Sequence, residues 1–166
     1  IDQHAFHERI LYEKLSADHS LLQTTQPLLV PEAVSLQASA VALLREHTTM
    51  LMKLGFKLNF VDETTFEVLQ VPSILTDRDI DTIMQSLSEN FAGGMFDGTD
   101  NEVTHNVLAT MACHAAVRAG EELSVAELKS LINQAQEVDF FHNCPHGRRV
   151  IRWFGINEVA GWFDRL

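Results

Sequence analysis

Basic charge is what this 166-residue chain has least of: 12 Lys and Arg stand against 23 Asp and Glu, a formal net charge of −11. Phosphate contacts need clustered cations, and their electrostatic contribution supplies almost all sequence-independent affinity for nucleic acid. The balance therefore argues against a self-sufficient DNA binder. If the substrate is DNA, this piece holds it weakly and relies on other domains. Arg148, Arg149 and Arg152 form a small, locally basic patch. No apolar run approaches the roughly 18 residues of a membrane span, and no stretch reads as a signal peptide. Cysteine is scarce too, with Cys113 and Cys144 only. Cys113 is followed directly by His114 and Cys144 has His146 two residues on, so metal binding in a reducing compartment is a better reading than a disulfide. The chain opens on Ile1-Asp2 without a methionine, as a fragment of a longer protein would.

What remains is an ordinary globular composition, long enough for one sizeable core or two small ones. Residues 3 to 17 read as a helix, with Phe6, Ile10, Leu11 and Leu15 on one side. Gln26 to Pro31 is extended, because each proline fixes φ and disfavours helix just before it. Leu36 to Leu54 reads as one long amphipathic helix closed by Gly55. Phe56 to Val61 and Thr65 to Val71 alternate around Asp62-Glu63-Thr64 as a β-hairpin. A helix over 77 to 91 leads to a glycine-rich joint over 92 to 100. Helices follow over 102 to 119 and from the Ser124–Glu127 capping box to about Val138. A strand over 150 to 154 and a last helix over 157 to 166 complete the expectation. The fold class is α+β, with two subdomains. Residues 1–24 and 100–166 form the first, and 25–99 a smaller inserted α/β unit.

Two runs at opposite ends carry chemistry. Asp2-Gln3-His4-Ala5-Phe6-His7-Glu8 places His4 and Glu8 one helical turn apart, with Asp2 at the helix entry. Cys144-Pro145-His146-Gly147-Arg148-Arg149 presents a thiolate and an imidazole around a stiff proline, then two guanidiniums suited to phosphate oxygens. Glu13 lies on roughly the opposite side of the helix from His4 and suits a supporting role. A mixed thiolate, imidazole and carboxylate set suits zinc best, while carboxylate and water positions tolerate manganese or magnesium. Two ions about 4 Å apart would favour phosphodiester cleavage, one activating a water and the other steadying the leaving oxygen. Taken singly, each run is weak: a helical histidine is usually ordinary, and a lone cysteine such as Cys113 is usually a small buried residue.

Together these elements resemble a known family. Residues 2–13 fit the pattern Asp-Gln-His-Ala-x-x-Glu-x-x-x-x-Glu of the nicking MutL proteins of DNA mismatch repair. Ala112-Cys113-His114 resembles that family's Ala-Cys-Arg or Ser-Cys-Lys element, Cys144 to Arg148 its Cys-Pro-His-Gly-Arg, and Phe163-Asp164-Arg165 its terminal Phe-x-Arg. Arg149 stands where the family usually has proline, and His114 replaces the usual basic residue.

The resemblance implies a dimerisation and nicking-endonuclease region without its ATPase half, where ATP would bind. It implies Asp2, His4 and Glu8 as catalytic residues. Asp2, His4, Glu8, Cys113, Cys144 and His146 would be ligands for one or two Zn2+ or Mn2+ ions, with Arg148 on phosphate. Gln26-Pro27-Leu28-Leu29-Val30-Pro31 resembles the Gln-x-x-Leu-x-Pro peptide that docks on the replication sliding clamp, through Gln26, Leu29 and Pro31. Implied partners are a second copy of the chain, the clamp, duplex DNA and, through the full-length protein, the mismatch-recognition protein. No membrane partner is implied, and the location would be the bacterial cytoplasm, at the nucleoid. The competing reading is a non-catalytic dimerisation and clamp-binding module whose zinc is structural. A stand-alone hydrolase of small molecules is disfavoured by the clamp-like peptide.

Overall fold

The computed structural model describes residues 1–18, 22, 24–92, 100–118, 120–138 and 143–165. The glycine-rich joint expected over 92–100 lies largely outside them. Helix α1 (Gln3–Ala17) opens on Asp2, whose side chain accepts the Ala5 N–H as an N-cap. Strand β1 (Thr25–Ser35) follows, then helices α2 (Ala38–Glu46) and α3 (Thr48–Lys53), and strands β2 (Lys57–Phe60) and β3 (Thr65–Pro72). A 3-10 turn (Ser73–Leu75) leads to α4 (Ile80–Ala92), α5 (Asp100–Ala115), α6 (Val125–Gln134) and α7 (Ile156–Gly161). This α+β set encloses an antiparallel sheet of order β1-β3-β2.

The hairpin forms as its alternation predicts. Asp62 Oδ1 accepts the N–H groups of Thr64 at 2.7 Å and Thr65 at 2.8 Å, an Asx turn that closes β2 on β3. Gly55 has φ +94, and a Cβ there would meet the Leu22 carbonyl at 2.7 Å, so only glycine fits. On β1, Pro27 faces Gln70 while Glu32 faces Val68. Residues 28–31 therefore bulge opposite a single residue of β3. Leu28 packs on the core, whereas Leu29 and Val30 stand exposed.

Two apolar cores share α1. The larger joins Leu15 and Leu22 to the sheet, to α2–α4 and to Val103, Val107 and Met111 of α5. The smaller holds Ala5, Phe6, Ile10, Leu131, Cys144 and Val150. The expected apolar face of α1 thus splits: Phe6 and Ile10 enter the small core, Leu11 and Leu15 the large one. Glu8 lies on the same helix and is fully buried.

Several expectations need correction. The long helix over 36–54 breaks at His47, because the Thr48 hydroxyl donates to the carbonyls of Leu44 and Arg45 and competes with the helical ladder. Helix α4 starts at Ile80 rather than 77, since Asp79 Oδ1 accepts the Thr82 N–H. Helix α5 stops at Ala115 rather than 119, for reasons given with the site below. Helix α6 ends at Gln134 and tightens into a 3-10 turn. Residues 150–154 form no strand among the described residues: Asp2 N–H donates to the Val150 carbonyl at 3.1 Å, but no ladder continues it. The last helix ends at Gly161, with Asp164 left-handed at φ 50 and the Arg165 N–H returning to the Ala160 carbonyl.

Candidate metal centre

Helix α1, the end of α5 and the 143–150 segment bring the two end runs together. His4, Glu8 and Cys113 form one group of potential ligand atoms, and Glu8, Cys144 and His146 another, each within 4.8 Å. Glu8 belongs to both. Its Oε1 lies 2.5 Å from His146 Nδ1, and its Oε2 lies 3.6 Å from His4 Nε2. Oε2 is buried and has no hydrogen-bond partner among the described residues. A carboxylate oxygen removed from water without a donor is costly, and a cation removes that cost.

The second atom of His4 explains its orientation. Nδ1 lies 2.9 Å from the Val117 carbonyl, which can only accept, so the proton sits on Nδ1. That leaves Nε2 turned toward Glu8 and, at 3.7 Å, toward Cys113 Sγ. A histidine fixed through one nitrogen by a backbone carbonyl, its other nitrogen facing a carboxylate and a thiol, is arranged as a metal ligand. His7, one turn along, accepts the Val117 N–H at 3.1 Å, and burial pushes its pKa down. The two histidines thus occupy both polar groups of Val117. With Arg78 donating to the Ala115 carbonyl at 2.8 Å, this ends α5 just beyond Cys113.

The second triad is placed by a turn. Cys144 N–H donates to the Arg148 carbonyl at 2.9 Å and Gly147 N–H to the Cys144 carbonyl at 2.8 Å, with Gly147 at φ +80. Arg9 donates to the Asn143 carbonyl at 3.0 Å and pairs with Glu13 at 2.5 Å, so Glu13 supports the loop rather than facing the ligand atoms. Burial pushes both thiols upward. The Glu8 carboxylate adds to this at Cys113, and the Arg148 guanidinium opposes it. A positive ion would reverse that balance and favour the thiolates.

Asp2 is exposed, lies outside both groups among the described residues, and serves as the N-cap of α1. Arg148 is exposed beside the loop. Arg78 and Arg118, not singled out by any spacing in the sequence, line a cleft with Cys113 and His114. The residues present fit a metal ion: imidazole, thiol and a carboxylate with an orphaned oxygen converge from three separate segments.

The profile of the MutL C terminal dimerisation domain matches residues 1–123. The chain belongs to this family. It is also similar to DNA mismatch repair protein MutL of Geotalea daltonii, 34% identical over 99% of this chain and 28% of that protein. The MutL of Citrifermentans bemidjiense is 37% identical over 100% of the chain and 26% of its own length. That of Anaeromyxobacter sp. (strain K) is 36% identical over 91% and 25%. The chain therefore spans about a quarter of the length of these relatives. Membership in the MutL C-terminal family accounts for the α+β architecture, a dimerisation core carrying a smaller inserted α/β unit. No described helix is long and apolar enough to cross a membrane.

Proposed function

We propose that this chain is the metal-dependent nicking domain of a bacterial MutL mismatch-repair protein, hydrolysing one phosphodiester of duplex DNA with little sequence specificity. The observation that carries the reading is Glu8, buried, shared by both ligand groups and left with an unsatisfied oxygen. His4, Glu8, Cys113, Cys144 and His146 would hold one or two zinc or manganese ions, and Asp2 would join them from the helix entry. When bound, such an ion supplies Lewis acidity toward a phosphodiester oxygen. Val117 fixes the His4 tautomer, Arg9 holds the Cys144 loop, and the exposed Arg148 meets the phosphate.

Residues 1–24 and 100–166 are the dimerisation subdomain in this reading, and 25–99 the inserted regulatory one. Supporting it, Val125, Leu128 and Ile132 expose one face of α6, and Trp153, Ile156, Trp162 and Phe163 are exposed nearby in sequence. A second copy would cover such surface. The exposed Gln26 just before the bulge of β1, with Leu29 and Pro31 in it, is offered to the sliding clamp. ATP binding and the mismatch-recognition protein belong to the full-length protein, in the bacterial cytoplasm at the nucleoid.

Nicking of supercoiled plasmid in manganese, with clamp and ATPase half supplied, tests the reading. The wild type should nick, and Asp2→Asn and Glu8→Lys should not; equal nicking by all three rejects it. A non-catalytic dimerisation and clamp-binding module with structural zinc is the second reading, favoured by the use of Asp2 as a helix cap. It requires zinc bound in proportion to Cys144, lost in Cys144→Ala, and a plasmid that no form cuts.

A further inference from the structure

The cleft that shares Cys113 with the donor cluster is lined by Arg78, Asp79, Thr82, His114 and Arg118, and has a volume of about 320 Å³. That is the small end of ligand-pocket sizes, roughly 300–1,000 Å³. Two arginines line this cleft in a chain of net charge −11. Arg78, half-buried between β3 and α4, spends one N–H on the Ala115 carbonyl, and a guanidinium carries five. Arg118 is held by its backbone: its N–H donates to Glu121 and its carbonyl accepts from Gln3. The one carboxylate on the wall, Asp79, is engaged by the Thr82 N–H at 3.1 Å as the cap of α4. His114 Nε2 lies 3.1 Å from Ser86 Oγ. Two arginines against one ionised carboxylate, on which the Arg118 charge also acts, leave the lining net positive, and the fork geometry of arginine suits phosphate oxygens.

We infer that this cleft is a DNA subsite in which Arg78 and Arg118 bind the phosphodiester flanking the one that is cut. The assignment rests on the nicking reading. It names positioning residues that do not touch the reacting atoms. Arg78 and Arg118 come from segments 40 positions apart, before α4 and after α5, so DNA held here touches both parts of the proposed two-unit chain.

The test is the salt dependence of binding to a 30-bp duplex, measured by fluorescence anisotropy on the zinc-loaded chain without manganese. Arg118→Ala should lower the slope of log K against log salt by about 0.9 and weaken binding roughly fivefold to tenfold near 0.1 M salt, with melting temperature and zinc content unchanged. Arg78→Lys, which keeps the charge and loses the fork, should keep the slope and still weaken binding. An Arg118→Ala slope equal to wild type, or no wild-type binding even at 20 mM salt, overturns the subsite. Plasmid nicking separates the two readings. Altered slopes with no nicking by any form leave the cleft standing and remove the nuclease. Intact nicking with an unchanged slope does the reverse.

Discussion

His4 and Val117 are joined by a 2.9 Å contact from Nδ1 to the carbonyl, and through it the segment just after α5 dictates which ring nitrogen of His4 faces Glu8. Because His7 takes the N–H of the same valine at 3.1 Å, the ligand helix and the end of the cysteine helix are clamped at one residue. The site's geometry is thus enforced by groups that would never contact an ion.

Arg9 should matter for the same reason. It joins Glu13 to the Asn143 carbonyl, one residue before Cys144, yet contributes no ligand. Arg9→Met should weaken zinc affinity about 10- to 100-fold, the usual cost of losing an outer-shell partner. Calorimetric zinc titration checks this, and unchanged affinity would reject a positioning role for Arg9.

The two cores should respond differently to cavities. Ile10→Ala in the small core and Leu87→Ala in the large one each remove a fully buried side chain and should cost about 2–5 kcal/mol in urea unfolding. Only Ile10→Ala should also impair zinc binding, because Cys144 packs in that core. Equal zinc affinity in the two variants would refute the link.

Asp62 makes acid sensitivity local. Its carboxylate accepts the Thr64 and Thr65 N–H groups, which hold its pKa below the ordinary 3.8. A carboxyl whose folded pKa is depressed adds stability above its unfolded pKa and loses it as pH falls through the folded one. Asp62→Ala should therefore melt lower than wild type at pH 7, and the gap should close below about pH 4. A gap independent of pH would show that the turn does not use the charge.

Leu29 stands fully exposed on the β1 bulge. Leu29→Ala should change stability by less than about 0.5 kcal/mol while abolishing capture of the sliding clamp in a pull-down. Retained capture would remove the clamp-docking proposal.

Much of this was legible in the residues, and the reasons for the rest are physical. The i, i+4 spacing of His4 and Glu8, the Ser124–Glu127 capping box and the Asp62 turn are local devices whose chemistry acts within four residues. Both ends of α1 are legible, but several other helix ends are not. Helix α5 stops where Val117 is taken by histidines more than a hundred positions away, and the long helix breaks on a threonine hydroxyl choosing between two carbonyls. Residues 150–154 read as a strand, but only the Asp2 N–H answers them among the described residues. Of the donor set, the residues within each end run announced themselves by spacing. The pairing of Arg78 with Arg118 has no such signal, because nothing in a sequence marks two arginines that meet only across a fold.

The Glu8–His146 contact closes a separation of 138 residues. During synthesis from the N-terminus, Glu8 and His4 emerge long before their counterparts. No nascent chain that ends before His146 can assemble the full donor set. Capacity to bind an ion through both groups therefore arises only once His146 has been made, so a premature stop before it yields a chain with most of the large core's residues but only part of the ligand set.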